Sequence, residues 1–359
     1  METLRNLIDW LFEPTRYFLG SALLLFVVLK WRKLFSLPIF IYTFFVFGTL
    51  FFLWAMQDPD FTAIVTKPDN IPIVILLGSV GYFSWLALRQ AVINDERTKR
   101  GEPTIEAELS RKKVFTWPDL VYTEFISLIL FTAFLIAWSI EIPAPIEEPA
   151  ELSRTPNPSK APWYFLGLQE LLVYFDAWIA GVLLPGFIIV GLCAIPYLDT
   201  NPKGNGYYTF DERPFAISFF WVGFILFWVS FVILGTFLRG PNWSFFGPFE
   251  YWDVHKLEPM VNVDLSTYFW VFLMKQPLPE AILLREAPGI LLLSGYFAVL
   301  PVLLGKTALR GLYAQLGAVR YHVFFHMLLW FGLIPIKMLA RWIFSLKYFV
   351  AIPEYFFNV

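Results

Sequence analysis

The chain has 359 residues, of which 58% are hydrophobic, 20% aromatic and only 16% charged, with a mean hydropathy of +0.61. Water-soluble domains carry about 25% charged residues, so this composition excludes one, and a net charge of −2 gives no sign of a nucleic-acid partner. The single cysteine, Cys193, lies in an apolar run and excludes an intramolecular disulfide; no CxxCH haem-attachment motif and no cysteine cluster for zinc or iron–sulfur is present.

The N-terminal stretch METLRNLIDWLFEPTRYFLG is expected to stay in the mature chain, because Glu2, Asp9 and Glu13 interrupt what a cleavable signal would make basic and then apolar. A membrane-spanning helix needs ~20 mostly apolar residues. Charge-free runs of useful length are Tyr17–Leu29, Leu34–Gln57, Asn70–Leu88, Phe125–Ile140, Ala177–Leu198, Pro214–Leu238, Ala287–Gly305 and Tyr321–Ile336. The first is short and must borrow Trp10, Leu11 and Phe12 or lie partly in the interface. The expected fold is an all-α polytopic membrane protein of about eight transmembrane helices, with a re-entrant periplasmic loop and short amphipathic helices.

Basic residues set the orientation. Lys30, Arg32 and Lys33 lie between spans one and two, and Arg97, Lys99, Arg100, Arg111, Lys112 and Lys113 between three and four. Lys203 and Arg213 follow span five, and Lys306, Arg310 and Arg320 follow span seven. With alternating spans these loops share one side, the cytoplasmic one. The loop 141–176, which opens with Glu141, Glu147, Glu148 and Glu151, is then periplasmic. This divides the chain into a three-span extension at 1–93, a charged linker at 94–116, a three-span core at 117–238, and a C-terminal part at 239–359. That last part begins with an aromatic excursion, RGPNWSFFGPFEYWDVHKLEP, precedes two spans, and ends in the tail SLKYFVAIPEYFFNV, which reads as an amphipathic segment on the outer face.

Four signals in the core come in a fixed order: FTWPDLVYTEF opening a span, NPSKAPWYFLGLQELL in an external loop, AIPYLD ending a span, and RPFA opening another. In this order they resemble the C-terminal domain of cytochrome b, which stands alone as subunit IV in cytochrome bf complexes. The resemblance covers roughly residues 117–238. In that family a proline-acidic-Trp-Tyr motif closes over an outer quinol-oxidation site, and Ala161–Tyr164 occupies its place. The resemblance implies a quinol site formed by Ala161, Pro162, Trp163, Tyr164, Phe165, Leu166 and Gln169. The residues themselves suit such a site, since a quinone ring needs apolar walls and a few polar groups to orient and deprotonate it. An interfacial belt of Trp and Tyr would produce similar composition.

Pro162 stands where the family has its acid, and proline can neither take a proton nor donate a hydrogen bond. Glu170, eight residues on and about two helical turns away, is the candidate catalytic carboxylate, because an ionisable group at membrane depth is a functional candidate by default. A carboxylate solvated at the surface or paired with another chain is the alternative. Glu124, with Tyr122 nearby, could feed an inner quinone side, or could simply snorkel from its shallow position.

Two stacked b haems need four axial histidines, in pairs ~14 residues apart to separate the irons by ~20 Å. The chain has three: His255 in an external loop, and His322 and His326 on one helical face, a pair that reads as interfacial packing or lipid-headgroup contact ahead of a metal or incomplete haem site. No metal site is expected. The resemblance therefore implies a haem-free membrane subunit of a bc-type quinol:cytochrome c oxidoreductase in the bacterial inner membrane, with the PWY loop periplasmic and no catalysis by the chain alone. Quinol would bind at a shared site. Haem b, haem c and an iron–sulfur cluster would belong to partners: a di-haem cytochrome b N-terminal subunit, a Rieske-type iron–sulfur protein and a c-type cytochrome. The alternative is a non-redox membrane scaffold with a degenerate quinone site.

Overall fold

The computed structural model describes residues 2–142, 149, 151–153, 155–203, 206–258 and 261–359; Glu147 and Glu148 lie outside them. Among the described residues, seven helices are long and apolar enough to cross a membrane. They are α3 (Pro38–Ala55), α4 (Ile71–Lys99), α5 (Thr116–Glu141), α7 (Ile179–Leu198), α8 (Pro214–Leu238), α9 (Ala287–Lys306) and α10 (Arg310–Phe344). An eighth exists if α1 (Glu2–Phe12) and α2 (Pro14–Lys30), bent by 79° at their junction, count as one span. The chain is an all-α polytopic membrane protein, as its composition predicts. The first span is the broken one, at the place where its apolar run is too short.

Prolines in the first turn start many of these helices, including α2, α3, α4, α8 and α9. At that position the missing N–H costs nothing and the fixed φ is already helical. α10 breaks at Gly317, whose φ of 74° only glycine adopts freely. It ends at Ser345 in the left-handed conformation, with Ser345 N–H on the Arg341 carbonyl and Leu346 N–H on that of Ala340.

The chain forms two compact units, residues 1–159 with 205–256, and residues 160–204 with 257–359. In the first, Phe18 of α2 packs on Phe227 and Phe231 of α8, with ring centroids 5.4 and 6.2 Å apart. A polar knot closes one end. Arg32 pairs with Asp95 at 3.8 Å and with Asp211 at 2.5 Å, and Lys99 also reaches Asp211, at 2.6 Å. The buried Asn94 donates to Glu106 and to the Tyr208 carbonyl, while its side-chain oxygen accepts from Ile105 N–H. The basic loops after α2, α4 and α7 thus meet at one end. At the opposite end Arg5 pairs with Asp58 at 2.8 Å, Phe249 N–H donates to Asp9 at 2.9 Å, and Phe249 stacks on Phe61.

In the second unit, α7, α9 and α10 pack through Phe187, Phe297 and Trp330. Tyr321 is buried and donates to the Pro301 carbonyl. The tail folds back as a two-strand antiparallel hairpin, β1 (Ala351–Ile352) and β2 (Phe357–Asn358). Leu346, Phe349, Val350, Ala351 and Val359 are buried, while Tyr355 and Phe356 are exposed, so one side of the tail packs on this unit.

Candidate functional site

The stretch from Ala161 to Glu170 folds as the start of helix α6 (Trp163–Leu171). Pro162 sits at its N-cap with φ −52° and ψ 149°, the extended geometry that proline favours before a helix. The cap side chain cannot accept a hydrogen bond; Gln169 instead ties the residue before the cap to the helix, its Oε1 accepting from Ala161 N–H at 2.8 Å. The proline at the motif position and the glutamine at 169 therefore act together to fix where the helix begins.

Helical spacing then sorts the remaining residues onto two faces. Trp163, Leu166 and Glu170 follow at i, i+3 and i+7, with Leu166 buried and Glu170 0% exposed. Tyr164 and Phe165 point elsewhere, 51% and 52% exposed, with ring centroids 4.7 Å apart. Trp163 is half-buried on the side of the carboxylate, with its ring edge-on to Tyr164 at 5.7 Å, and the Tyr164–Phe165 pair lies open. A carboxylate removed from solvent in this way differs from one solvated at the surface.

Downstream of α6 lies a group of charges that reading the sequence missed. Phe175 is buried, and the Lys337 ammonium lies 5.6 Å from its ring centroid, 4.8 Å from that of Phe349 and 5.6 Å from that of Tyr348. Lys337 also donates to the Lys347 carbonyl. Arg285 forms a fork on Glu354 with two 2.9 Å bonds and a third, 3.0 Å, bond to the buried Glu286. Glu286 in turn accepts from Ala351 N–H in β1. Asp176, just past α6, accepts from Asn358 at 2.7 Å, and Trp178 donates to the Asn358 carbonyl at 3.0 Å. The tail hairpin thereby ties the segment after α6 to the start of α9. Burial, followed by the charge of Glu286, raises the Asp264 carboxyl above its ordinary range. Burial with Asp176 and Asp264 nearby pushes the Tyr348 hydroxyl up to about 12. The signal available was Lys337 itself, a cation directly after the apolar run that ends at Ile336.

The other candidates are apart from α6 in the sequence. Tyr122 and Glu124 are both exposed on α5, and Tyr122 stacks on Trp117 at 5.8 Å. His255 lies in an exposed turn held by Asp253. His322 and His326 have ring centroids 5.8 Å apart, and Nδ1 of His326 is 2.7 Å from the His322 carbonyl oxygen. One nitrogen of His326 is thus committed to its own helix. Among the described residues no group of three or more His, Cys, Asp or Glu could hold a metal ion.

Residues 149–247 match the family model of the cytochrome b C-terminal/b6/petD domain. The recognition made from the PWY loop and its neighbouring signals is borne out for that segment, which holds α6, α7 and α8 and begins after α5. A curated relative, the menaquinol:cytochrome c reductase cytochrome c subunit of Geobacillus thermodenitrificans, is 27% identical over 119 residues. The alignment covers 32% of this chain and 46% of the relative, so the chain spans less than half of the length of that relative. No solved structure matches.

Proposed function

We propose that the chain is a haem-free membrane subunit of a bc-type quinol:cytochrome c oxidoreductase, with α6 forming part of the outer quinol-oxidation site. The observation that carries this reading is the coincidence of the family match at 149–247 with a helix whose motif face ends in a fully buried carboxylate. The name of the Geobacillus relative makes menaquinol the first quinol to test and supports a cytochrome-containing assembly. Three histidines cannot supply four axial ligands, so the b haems belong to a separate di-haem cytochrome b subunit. The electrons of the quinol pass to haem and iron–sulfur groups held by that subunit, a Rieske-type protein and a c-type cytochrome.

Each part of this chain has a task in the reading. Ala161, Pro162 and Gln169 fix the start of α6. Trp163 and Leu166 wall the ring on the face that carries Glu170. Glu170 takes the proton that the family's motif acid takes elsewhere. Tyr164 and Phe165, on the open face, extend those walls on the side from which a ring can approach. The enzyme is not catalytic as this chain alone. By the positive-inside rule, α6 is periplasmic in a bacterial inner membrane. Glu124 and Tyr122 then belong to the cytoplasmic side, where an inner quinone would bind.

The test has two stages. Mild-detergent purification of the chain should bring down a four-histidine cytochrome b with b-type absorbance and an iron–sulfur protein. In that complex Glu170→Gln, which keeps the shape and removes the proton acceptor, should lower quinol oxidation about 100-fold and abolish the acid limb of its pH profile. An unchanged rate and profile would leave Pro162 as the mark of a degenerate site and the chain as a non-redox scaffold.

A further inference from the structure

We propose that the groove between α2 and α8 binds one anionic glycerophospholipid, its phosphate on Lys30 and an acyl chain along Leu25, Leu29, Val222 and Leu226. The groove has a volume of about 550 Å³ and is lined by these residues together with Arg32. That is within the range of small-ligand sites, ~300–1,000 Å³. Phe26 on its rim is 60% exposed and Lys30 is exposed, so the groove is open along one side.

Length and charge select the occupant. Along α2 the lining runs from Ala22 to Lys30, a rise of ~12 Å, close to the ~15 Å depth of one leaflet's hydrocarbon. The walls are apolar over this distance and end in cations, the order in which a phospholipid presents its chains and its phosphate. Arg32 is paired with Asp95 and Asp211, and its guanidinium lies 4.2 Å from the Phe210 ring centroid. Its Nε is buried and faces the Asp95 carboxylate at 3.8 Å, so Arg32 is already committed to the knot. Lys30 makes no ion pair among the described residues; its ammonium lies 5.7 Å from the Phe26 ring centroid and 5.4 Å from that of Trp31. Asp95 and Asp211 balance Arg32 and Lys99, so Lys30 remains as the local surplus of positive charge. Basic pockets between transmembrane helices hold anionic headgroups by this arrangement. A neutral quinone or diacylglycerol would fill the same walls and leave the Lys30 ammonium without an acceptor.

The test uses the purified full chain, delipidated in detergent, and follows its thermal unfolding during titration with phosphatidylglycerol, dioleoylglycerol or menaquinone. Phosphatidylglycerol should raise the midpoint saturably and the two uncharged lipids should not. Lys30→Gln should weaken the phosphatidylglycerol titration about fivefold. Ala22→Trp, which blocks the groove, should abolish it. Lys33→Gln, removing a cation already paired with Glu96 at 3.8 Å, should leave it unchanged. The proposal is overturned if phosphatidylglycerol gives no shift, if either uncharged lipid matches it, or if Lys30→Gln titrates like the parent.

Discussion

Helices α5 and α8 are almost equally apolar and differ completely in what surrounds them. No residue in the apolar window of α5 is buried, whereas half of that window in α8 is. In water such a difference would be written in the sequence, because a helix apolar all round must be buried. In a bilayer it is not, since lipid tails are as apolar as leucine and exposure carries no hydrophobic penalty. The distinction lies in packing: α8 is fixed by Phe227 and Phe231 against Phe18, while α5 presents its whole circumference. Under the proposed function, that circumference is where the di-haem partner or lipid is accommodated.

The sharpest way to test whether contact rather than apolarity decides stability compares two glycines on α9. A Cβ added at Gly289 would fall on the Phe349 carbonyl oxygen, which is backbone and cannot swing aside; one added at Gly295 meets nothing within 4 Å. Gly289→Ala should therefore push the tail away from the start of α9 and destabilise the protein by about 3 kcal/mol. Gly295→Ala should be neutral or stabilising by up to ~1 kcal/mol, through helix propensity alone. Thermal unfolding of the two variants in one detergent checks both. Equal effects would mean that the hairpin does not bear on α9.

The comparison between α5 and α8 can be broken more directly. Leu234 in α8 is fully buried and Leu128 in α5 is 62% exposed. Leu234→Ala should cost about 2 kcal/mol, at the lower end of the usual range because the unfolded helix remains in an apolar solvent. Leu128→Ala should change stability by less than ~0.5 kcal/mol in the isolated chain. A larger loss at Leu128 inside the purified complex than outside it would identify α5 as a subunit contact.

How much of this was legible follows the same division. The number of spans was, because it depends on local apolarity and length. So was the weakness of the first span, which breaks before Pro14. The last helix was underestimated: its apolar run stops at Ile336, and Lys337 looks like a boundary. The helix continues to Phe344 because the rings of Phe175, Tyr348 and Phe349 surround that ammonium, a tertiary arrangement drawn from two distant segments. Glu170 was legible as a candidate but its burial was not, and the tail's aromatic run gave no hint that Glu286 and Asp176 would hold it as a hairpin. Motif order revealed the family-matched segment; only packing reveals which face of α6 carries the carboxylate.

The smallest effect concerns the polar knot, where charge rather than packing joins the loops. A hydrogen bond from Lys99, followed by the charges of Lys99 and Arg32, holds the Asp211 carboxyl below its ordinary value of 3.8 despite some desolvation. A depressed carboxyl stabilises the fold at pH values above the unfolded-state value, and that contribution disappears as pH falls through the lower folded-state value. Asp211→Asn should therefore lower stability at pH 7 and converge on the parent as pH drops below 3.8. The Asp211 side chain is 36% exposed, so solvent screening limits the difference to ~1 kcal/mol or less. A difference that persisted unchanged at low pH would show that shape, and not charge, makes Asp211 useful to the knot. The link between α4 and the loop after α7 would then rest on uncharged donors, the side chain of Asn94 and the backbone N–H groups of Tyr208 and Asp211.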